Sequence, residues 1–177
     1  MLATTMIFIA IGSNLPHPDY GDPFAVCGAA VVAVSRRGCR IAACSRWYRS
    51  SPVPASDQPD FVNGGISVET ELGPAALLRE LHRIEKEFGR NRSVPHAARV
   101  LDLDLIAYED VVAEGEKPPI LPHPRMSERA FVLFPIKDVA PEWVHPVSGM
   151  SVSRLVAALP KNQKCDPIHL DPEGQAV

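Results

Sequence analysis

The chain has 177 residues, a length that fits one domain. Its 46% hydrophobic content and its net charge of −3 exclude an intrinsically disordered protein and a uniformly basic nucleic-acid-binding protein. Proline is abundant, with 18 residues. Because proline is excluded from helix interiors and central strands, the proline-free windows 24–51, 75–94 and 96–117 are expected to hold the regular structure.

The N-terminal half is predicted to contain three strands and one helix. The apolar run 6–11 is short and no basic segment precedes it, so we expect a first strand rather than a signal peptide. The Asp-Pro pair at 22–23 has the residue types favoured at a helix N-cap and first turn, and Gly38 is placed to end that helix. Two further strands are predicted at 41–48 and 61–69.

The C-terminal half begins with a second helix, predicted over 73–89 from an apolar stripe at helical spacing and a closing glycine. Alternating apolar and polar residues predict a strand over 100–108. Short helices are expected at 128–134 and 152–159, and residues 161–177 are expected to form a polar tail.

The order β-α-β-β-α-β indicates an α+β fold of the ferredoxin-like type, with helices on one face of an antiparallel sheet. Extra C-terminal helices complete a single domain over 1–160. No apolar stretch approaches the roughly 20 residues of a membrane span. The four cysteines form no CxxC pair, so we expect reduced cysteines and a cytoplasmic protein.

The strongest chemical signal is a pair of aspartates, Asp102 and Asp104, flanked by leucines in the run LDLDL. Residues two apart on a strand point to the same side, about 6.5–7 Å apart, so the aspartates would project together while the leucines face the core. Two such carboxylates repel unless a cation lies between them, and Mg²⁺ is typically held by one or two carboxylates plus substrate phosphates. The alternative is an ordinary solvent-facing surface with two acids.

Five arginines precede this pair: Arg79, Arg83, Arg90, Arg92 and Arg99. Guanidinium groups are suited to bidentate phosphate contacts. The first two fit a solvated helix face, whereas the last three bracket a loop that leads to the acids. Metal-binding acids beside loop arginines suggest transfer of a phosphoryl-type group, in which catalysis is mostly positioning and charge neutralisation.

Other chemistries have no matching motif. The sequence contains no Walker A, GxGxxG, HExxH or GxSxG pattern. Its histidines show no metal-ligand spacing, and His123 differs only because Pro122 and Pro124 hold it in a stiff segment. By spacing alone, Phe61 and Phe131 are expected in the core rather than in a pocket.

Several segments stand in a characteristic order over residues 6–150. They are IAIGSNL at 9–15, YRSSPV at 48–53, DQPDFVN at 57–63, IE and GRNR within 84–92, RVLDLDL at 99–105, LPHP at 121–124, ERAFVL at 128–133 and IKDVAP at 136–141. In this order they resemble the 6-hydroxymethyl-7,8-dihydropterin pyrophosphokinases, a family of folate-pathway enzymes that move pyrophosphate from ATP to a pterin alcohol.

The resemblance implies roles for the residues around the reacting groups. Asp102 and Asp104 would bind two magnesium ions that bridge the ATP phosphates and the pterin hydroxyl. Phe61 and Phe131 would sandwich the flat pterin ring, in the offset stacking that aromatic faces prefer, and Asn63 would read its hydrogen-bonding edge. Main-chain groups near three more residues would assist: Ser50, Ser51 and Val53.

The resemblance also implies a nucleotide site and a closing loop. Arg90 and Arg99 would neutralise charge on the transferred group while the pterin hydroxymethyl oxygen attacks the β-phosphorus of ATP in line and releases AMP. Positions on the nucleotide side are His82, Glu85, Arg92, Leu105, Ile120, His123 and Arg129. The implied partners are small molecules, the pterin alcohol and ATP as co-substrate, with no nucleic acid and no membrane.

The loop before the acids departs from the family pattern. The family usually has Trp-x-Pro-Arg where this chain has His96, Ala97, Ala98 and Arg99, and the loop is about one residue shorter. Two other hypotheses are a non-catalytic pterin- or nucleotide-binding relative whose loop no longer closes, and a ferredoxin-like RNA-binding module. The two aspartates and the net charge of −3 count against the RNA-binding module, which needs a basic sheet face with exposed aromatic residues.

Overall fold

The computed structural model describes residues 6–89, 98–115 and 117–169, so Arg90, Arg92 and His96 lie outside the described residues. The elements in chain order are β1 (Ile7–Ser13), α1 (Pro23–Ser35), β2 (Cys39–Cys44), β3 (Tyr48–Ser50), β4 (Phe61–Thr70), α2 (Pro74–Glu87), β5 (Asp102–Tyr108), a 3₁₀ turn (Met126–Glu128), α3 (Ala130–Val139), α4 (Val152–Ala157) and β6 (Cys165–Pro167).

The strands form one antiparallel sheet. Its order is β5-β1-β4-β3-β6, and β2 pairs with β4 beyond the end of β3. The central strand β1 therefore lies between β4 and β5, with both neighbours antiparallel to it. This arrangement confirms the predicted α+β fold with its β-α-β-β-α-β core.

The prediction of one strand over 41–48 is wrong, because two strands, β2 and β3, occupy this segment and its end. Between them, the Ser45 hydroxyl accepts a hydrogen bond from the Gly65 N–H (2.9 Å), and the Ser45 N–H donates to the Gly65 carbonyl (2.9 Å). The Trp47 ring then lies across Gly64, where any Cβ atom would collide with it. The side chains of Ser45 and Trp47 thus interrupt the strand, which an alternation pattern does not reveal.

Helices cover both faces of the sheet: the two core helices share one face, as predicted for the ferredoxin-like core, and the extra C-terminal helices cover the other. On one side, α1 and α2 pack against residues that include Ile9, Ile66 and Leu103. On the other side, α3 and α4 pack against Phe8 and Ile106. Successive residues of β1 and β5 therefore both face apolar layers, and the C-terminal helices supply the second layer.

The helix ends show which capping signals were correct. Asp22 caps α1, since its Oδ1 accepts the Ala25 N–H (2.9 Å), and Gly89 follows α2 with a left-handed φ of +78°. The predicted helix 128–134 begins and ends later, as α3. It also contains Pro135 in its interior, contrary to the expectation that helix interiors lack proline. That expectation rests on the proline ring, which has no N–H to donate to the preceding turn.

The C-terminal segment contributes to the sheet. Residues 165–167 form β6, which pairs with β3, inside the segment for which the sequence predicted a tail. The domain boundary at residue 160 stays a prediction. All four cysteines lie within the described ranges and are free thiols. Among the described residues, no helix has the length and apolar character needed to cross a membrane.

Candidate active site

The two aspartates of β5 share one face of the strand, as the alternation predicted. Asp102 and Asp104 are half-buried, whereas Leu103 and Leu105 are buried against the layer of α1 and α2. The aspartates therefore project from the side of the sheet that carries α3.

A buried carboxylate of α2 fixes β5 between these acids. Glu85 is only 1% exposed, and its Oε1 accepts a hydrogen bond from the Leu103 N–H (2.9 Å). Because Leu103 lies between Asp102 and Asp104, this bond ties the strand to α2 at the acid pair. The contact gives Glu85 a structural role next to the nucleotide-side role that the resemblance implies.

Arg99 joins the acid pair from the segment before β5. Its Nη1 lies 2.8 Å from Asp102 Oδ2 in a partly buried ion pair. Its main chain is also held, because the Arg99 N–H donates to Asn14 Oδ1 (2.8 Å) and the Arg99 carbonyl accepts from the Asn14 N–H (3.1 Å). The structure thus places the Arg99 guanidinium in contact with one of the two acids, Asp102.

Asn14 is a residue that the sequence analysis missed as part of the site. It is 2% exposed, and its Nδ2 donates to Gln58 Oε1 (3.2 Å) and to the Pro59 carbonyl (3.2 Å). It therefore joins the end of β1 to Arg99 and to the connection between β3 and β4. The available signal in the sequence is a polar amide directly after the apolar run of the first strand.

A row of three residues crosses the sheet at this point. Gly12 of β1 pairs with Asp102 of β5 on one side and with Asn63 of β4 on the other. Side chains of directly opposed residues lie on the same face. A Cβ atom at position 12 would lie 2.9 Å from Asn63 Oδ1 and 4.0 Å from Asp102 Cβ, so the glycine leaves space between the carboxylate and the amide.

The amide of Asn63 is oriented by a buried hydrogen bond. Asn63 is 6% exposed, and its Nδ2 donates to Ser50 Oγ (2.7 Å). Ser50 lies opposite Phe61 in the pairing of β3 with β4. Phe61 and Asn63 are two residues apart on β4, so their side chains lie on one face of the strand. A pocket beside them is lined by residues that include Pro52, Val53, Gln58, Phe61 and Arg99.

The beginning of α3 places Arg129 and Phe131 on the same face of the sheet. The Arg129 guanidinium lies 5.6 Å from the centroid of the Phe131 ring, a cation–π geometry. Phe131 is half-buried and packs between two apolar clusters rather than in the core itself. The prediction of a core phenylalanine from spacing alone is therefore too strong.

The other end of α3 is anchored to the strand that carries Ser50. Asp138 accepts hydrogen bonds from the Tyr48 hydroxyl (2.7 Å) and from Arg46 Nη2 (2.7 Å). Burial alone would raise the pKa of Asp138, but the hydrogen bonds from Arg46 and Tyr48 outweigh it and lower this pKa. The same burial, with Asp138 next to it, raises the pKa of the Tyr48 hydroxyl, which therefore stays protonated.

Positive charge accumulates opposite the acids. Burial and then the charge of Arg125 lower the pKa of Arg129, while Asp104 and Asp102 act in the opposite direction. An arginine remains protonated under such shifts. Arg129 is therefore a charged group close enough to be influenced by both acids and by Arg99.

His123 lies next to this cluster in the neutral form. Burial lowers its pKa to about 4, and the nearby charges of Arg129 and Arg125 add to the effect. Its imidazole Nδ1 accepts the main-chain N–H of Arg125 (3.2 Å), and the main-chain N–H of His123 donates to the Ile106 carbonyl of β5 (2.8 Å). At pH 7 the imidazole thus provides hydrogen-bonding groups and no charge.

The remaining predicted residues are less closely gathered. The Leu105 side chain is buried in the core below β5, so only its main chain can face a ligand. His82 is half-buried on α2, Ser51 is half-buried after β3, and Ile120 and Val53 are exposed. Arg90 and Arg92 lie outside the described residues.

The donor set at β5 fits a magnesium ion. Carboxylate oxygens are the ligands that this hard cation prefers, and one or two of them suffice when substrate phosphates complete the octahedron. Across the described ranges, no third histidine, cysteine, aspartate or glutamate joins Asp102 and Asp104 in a metal-binding group. The arrangement therefore suits an ion that arrives with a phosphate ligand.

Comparison with known proteins gives a consistent result. The family described as 7,8-dihydro-6-hydroxymethylpterin-pyrophosphokinase matches residues 8–141. The chain is 42% identical over 148 residues to the 2-amino-4-hydroxy-6-hydroxymethyldihydropteridine pyrophosphokinase of Synechocystis, with 84% of this chain and 73% of the relative covered. It is 36% identical over 156 residues to the protein of the same name from Methylorubrum extorquens, with 88% and 94% covered.

Longer proteins match over part of their length. The chain is 38% identical over 147 residues to the folic acid synthesis protein fol1 of Pneumocystis carinii, with 83% of this chain but only 19% of the relative covered. Among solved structures, the wild-type HPPK-DHPS protein of Plasmodium falciparum crystallised with SDX-DHP superposes with a TM-score of 0.64 at 13% identity, covering 87% of this chain and 43% of that one. This structural similarity supports the fold.

Proposed function

Because the chain belongs to the 7,8-dihydro-6-hydroxymethylpterin-pyrophosphokinase family, we propose that it transfers pyrophosphate from ATP to 6-hydroxymethyl-7,8-dihydropterin and releases AMP, a step of folate biosynthesis. The enzyme is then an ATP-dependent diphosphotransferase. The observation that carries the proposal is the row of Asp102, Gly12 and Asn63, which sets a carboxylate for a metal next to an amide for a heterocycle.

The acid pair would hold magnesium together with the ATP phosphates, and we propose two ions at Asp102 and Asp104. A bound metal would supply neutralisation of the phosphate charge, and the carboxylates of Asp102 and Asp104 would hold it. The chain contributes two oxygen donors on one strand face, and the bond from Leu103 to Glu85 holds that strand in place.

The pterin ring would lie between Phe61 and Phe131, with its polar edge at Asn63. The bond to Ser50 fixes the orientation of the Asn63 amide before the substrate binds, so less ordering is needed on binding. Gly12 leaves the surface between Asn63 and Asp102 open, and the hydroxymethyl arm of the substrate would extend across it.

Arg90 and Arg99 would stabilise negative charge on the transferred group, and Arg129 would act on the nucleotide side. Arg99 contacts Asp102 directly, and Arg129 lies in the field of both acids. Fixed charges that face developing charge lower the barrier without a covalent intermediate. The nucleotide-side roles of Glu85, Arg92 and His123, and the role of Arg90, rest on the resemblance.

The test is an assay that measures AMP release from ATP in the presence of the pterin alcohol. We expect AMP as the product, a strict requirement for Mg²⁺ or Mn²⁺, and a loss of turnover of about 10³-fold or more in Asp102→Asn and Asp104→Asn. Asp110→Asn, in the exposed turn after β5, is the matched control and should retain wild-type turnover. ADP as the product, or wild-type rates in both acid variants, would exclude this mechanism.

The same assay separates the enzyme from a non-catalytic relative. Such a relative would bind pterin through Phe61, Asn63 and Phe131 but release no AMP. Two observations support the pyrophosphokinase: Arg99 forms an ion pair with Asp102, and Asp104 shares the strand face of Asp102. The cytoplasmic location stays a prediction.

A further inference from the structure

A side chain from the C-terminal segment binds the chain on either side of Arg129. Gln163 Oε1 accepts a hydrogen bond from the Ala130 N–H (2.9 Å), and Gln163 Nε2 donates to the Glu128 carbonyl (2.6 Å). One carboxamide therefore holds a donor and an acceptor that flank a single residue. The partners are 33 and 35 residues away in the sequence.

The bond from the Ala130 N–H to Gln163 takes the position of the side-chain N-cap bond that α3 lacks. The N-cap residue of α3 is Arg129, and its side chain makes no capping hydrogen bond. The Ala130 N–H is the first of the helix and has no partner within the helix itself. Gln163 supplies the missing acceptor from a remote segment, so the start of α3 is held without using the Arg129 side chain.

The same segment also supports the opposite wall of the site. Cys165 of β6 pairs with Ser50 of β3, whose hydroxyl holds the Asn63 amide. Cys165 is buried in a small cluster with Tyr48 and Ala130. Residues 163–165 thus connect β3, whose Ser50 holds Asn63, with the beginning of α3, where Arg129 and Phe131 lie.

From these contacts we infer that Gln163 is a positioning residue that holds Arg129 and Phe131 against the substrates, an inference that rests on the proposed function. Two side chains that act on different parts of the substrates extend from residues 129 and 131. The Gln163 carboxamide holds the main chain at residues 128 and 130, and this limits how far the side chains of residues 129 and 131 can move. Precise placement of such groups has a large effect on rate.

The test compares Gln163→Ala with the matched control Lys161→Ala, an exposed residue two positions earlier. We expect kcat/KM for the pterin to fall about tenfold in Gln163→Ala, the loss expected when a pair of hydrogen bonds is removed, and to stay at the wild-type value in the control. In a background in which Arg129 and Phe131 are both replaced by alanine, Gln163→Ala should cost less than about twofold more, because the residue acts through these two side chains. A full tenfold loss in both backgrounds would refute this coupling.

Gln163→Glu serves if the alanine variant does not fold. It keeps the length and the acceptor for Ala130 but places a carboxylate oxygen against the Glu128 carbonyl, so we expect a loss of kcat/KM for the pterin of at least threefold. Wild-type kinetics in this variant would overturn the inference.

Hydrogen exchange separates this inference from the proposed function. Amide exchange in the peptide 126–134 should be faster in Gln163→Ala than in the wild type, whether or not the protein releases AMP. Wild-type exchange in that peptide would overturn the positioning role while leaving the AMP assay to decide the function. Faster exchange with unchanged kcat/KM for the pterin would also overturn it, since the Gln163 carboxamide would then have no effect on the site.

Discussion

Asn14 offers the sharpest test of how the arginine side of the site is held. Its side chain accepts a hydrogen bond from the Arg99 N–H and donates to Gln58 and to the Pro59 carbonyl. Asn14→Ala removes all three bonds and leaves the Arg99 N–H and the Pro59 carbonyl without this partner. The variant alters neither the Arg99 side chain nor the acid pair.

The magnitude follows from the number and burial of these bonds. Each hydrogen bond contributes about 1 kcal/mol net, and a partly buried group that loses its partner costs more than an exposed one. We therefore expect the free energy of unfolding to fall by roughly 2–3 kcal/mol. For a domain of this size each kcal/mol lowers Tm by about 2–4 °C, so the expected decrease is about 4–12 °C.

The kinetic effect should be larger than the stability effect suggests. Arg99 reaches Asp102 from a segment that Asn14 holds, and a displacement of about 1 Å can reduce a rate by about 100-fold. We expect single-turnover AMP formation to slow by between about 10-fold and 100-fold, measured at a temperature where the variant is fully folded.

Asn14→Asp provides the matched comparison. It keeps the acceptor for the Arg99 N–H but loses both donated bonds, so its stability should fall while its turnover stays closer to the wild type than that of Asn14→Ala. Equal turnover in Asn14→Ala and the wild type would refute the argument that this amide positions Arg99. Equal losses in the two variants would assign the effect to Gln58 and Pro59 instead.

Two further predictions concern charged side chains. Arg99→Ala should slow single-turnover AMP release much more than it weakens ATP binding, because the guanidinium acts on charge that develops in the transition state; normal single-turnover rates with reduced nucleotide affinity would contradict this role. Asp138→Asn should lower Tm at pH 7 by about 2–6 °C, since it weakens charge-assisted bonds to Tyr48 and to a largely exposed Arg46. The folded-state pKa of Asp138 is lowered, so its contribution is present above the usual value of 3.8 and is lost as the pH falls through the folded-state pKa. The difference in Tm between wild type and variant should shrink below about pH 4, and a constant difference down to pH 2 would contradict the assignment.

The parts of the site that the sequence predicted are those whose information is local. Asp102 and Asp104 share a face because they are two residues apart on a strand, and the flanking leucines define the buried side. The cap at Asp22 and the glycine after α2 are likewise determined within a few residues. Such features depend only on the residue period of the secondary structure and on the conformational preferences of single residues.

The parts that the sequence did not predict depend on partners far along the chain. Asn14 meets Arg99 across 85 residues, and Gln163 meets Ala130 across 33. Neither residue interrupts a periodic pattern, so nothing local distinguishes it from an ordinary turn or tail residue. The break between β2 and β3 belongs to the same class, because it depends on Ser45 bonding to Gly65 of another strand.

The residues of the site are held in place in two ways, by the strands of the sheet and by side chains from remote segments. The distance between Asp102 and Asn63 is set by two strand spacings, about 9.5 Å in all, and backbone hydrogen bonds maintain it whatever rotamers the side chains adopt. Gly12 keeps the surface between them clear. A metal-bound phosphate at Asp102 and a heterocycle edge at Asn63 would therefore be held at a fixed distance from each other.

Two arginines of the proposed site lie instead in segments outside the strands of the sheet. Arg99 precedes β5 and Arg129 precedes α3, and each is held by the amide side chain of another segment, Asn14 in one case and Gln163 in the other. An amide can donate and accept at once, so it fixes both position and direction of the backbone that it binds. On the proposed function, the sheet would set where the reactants meet, and two remote amides would set where positive charge faces them.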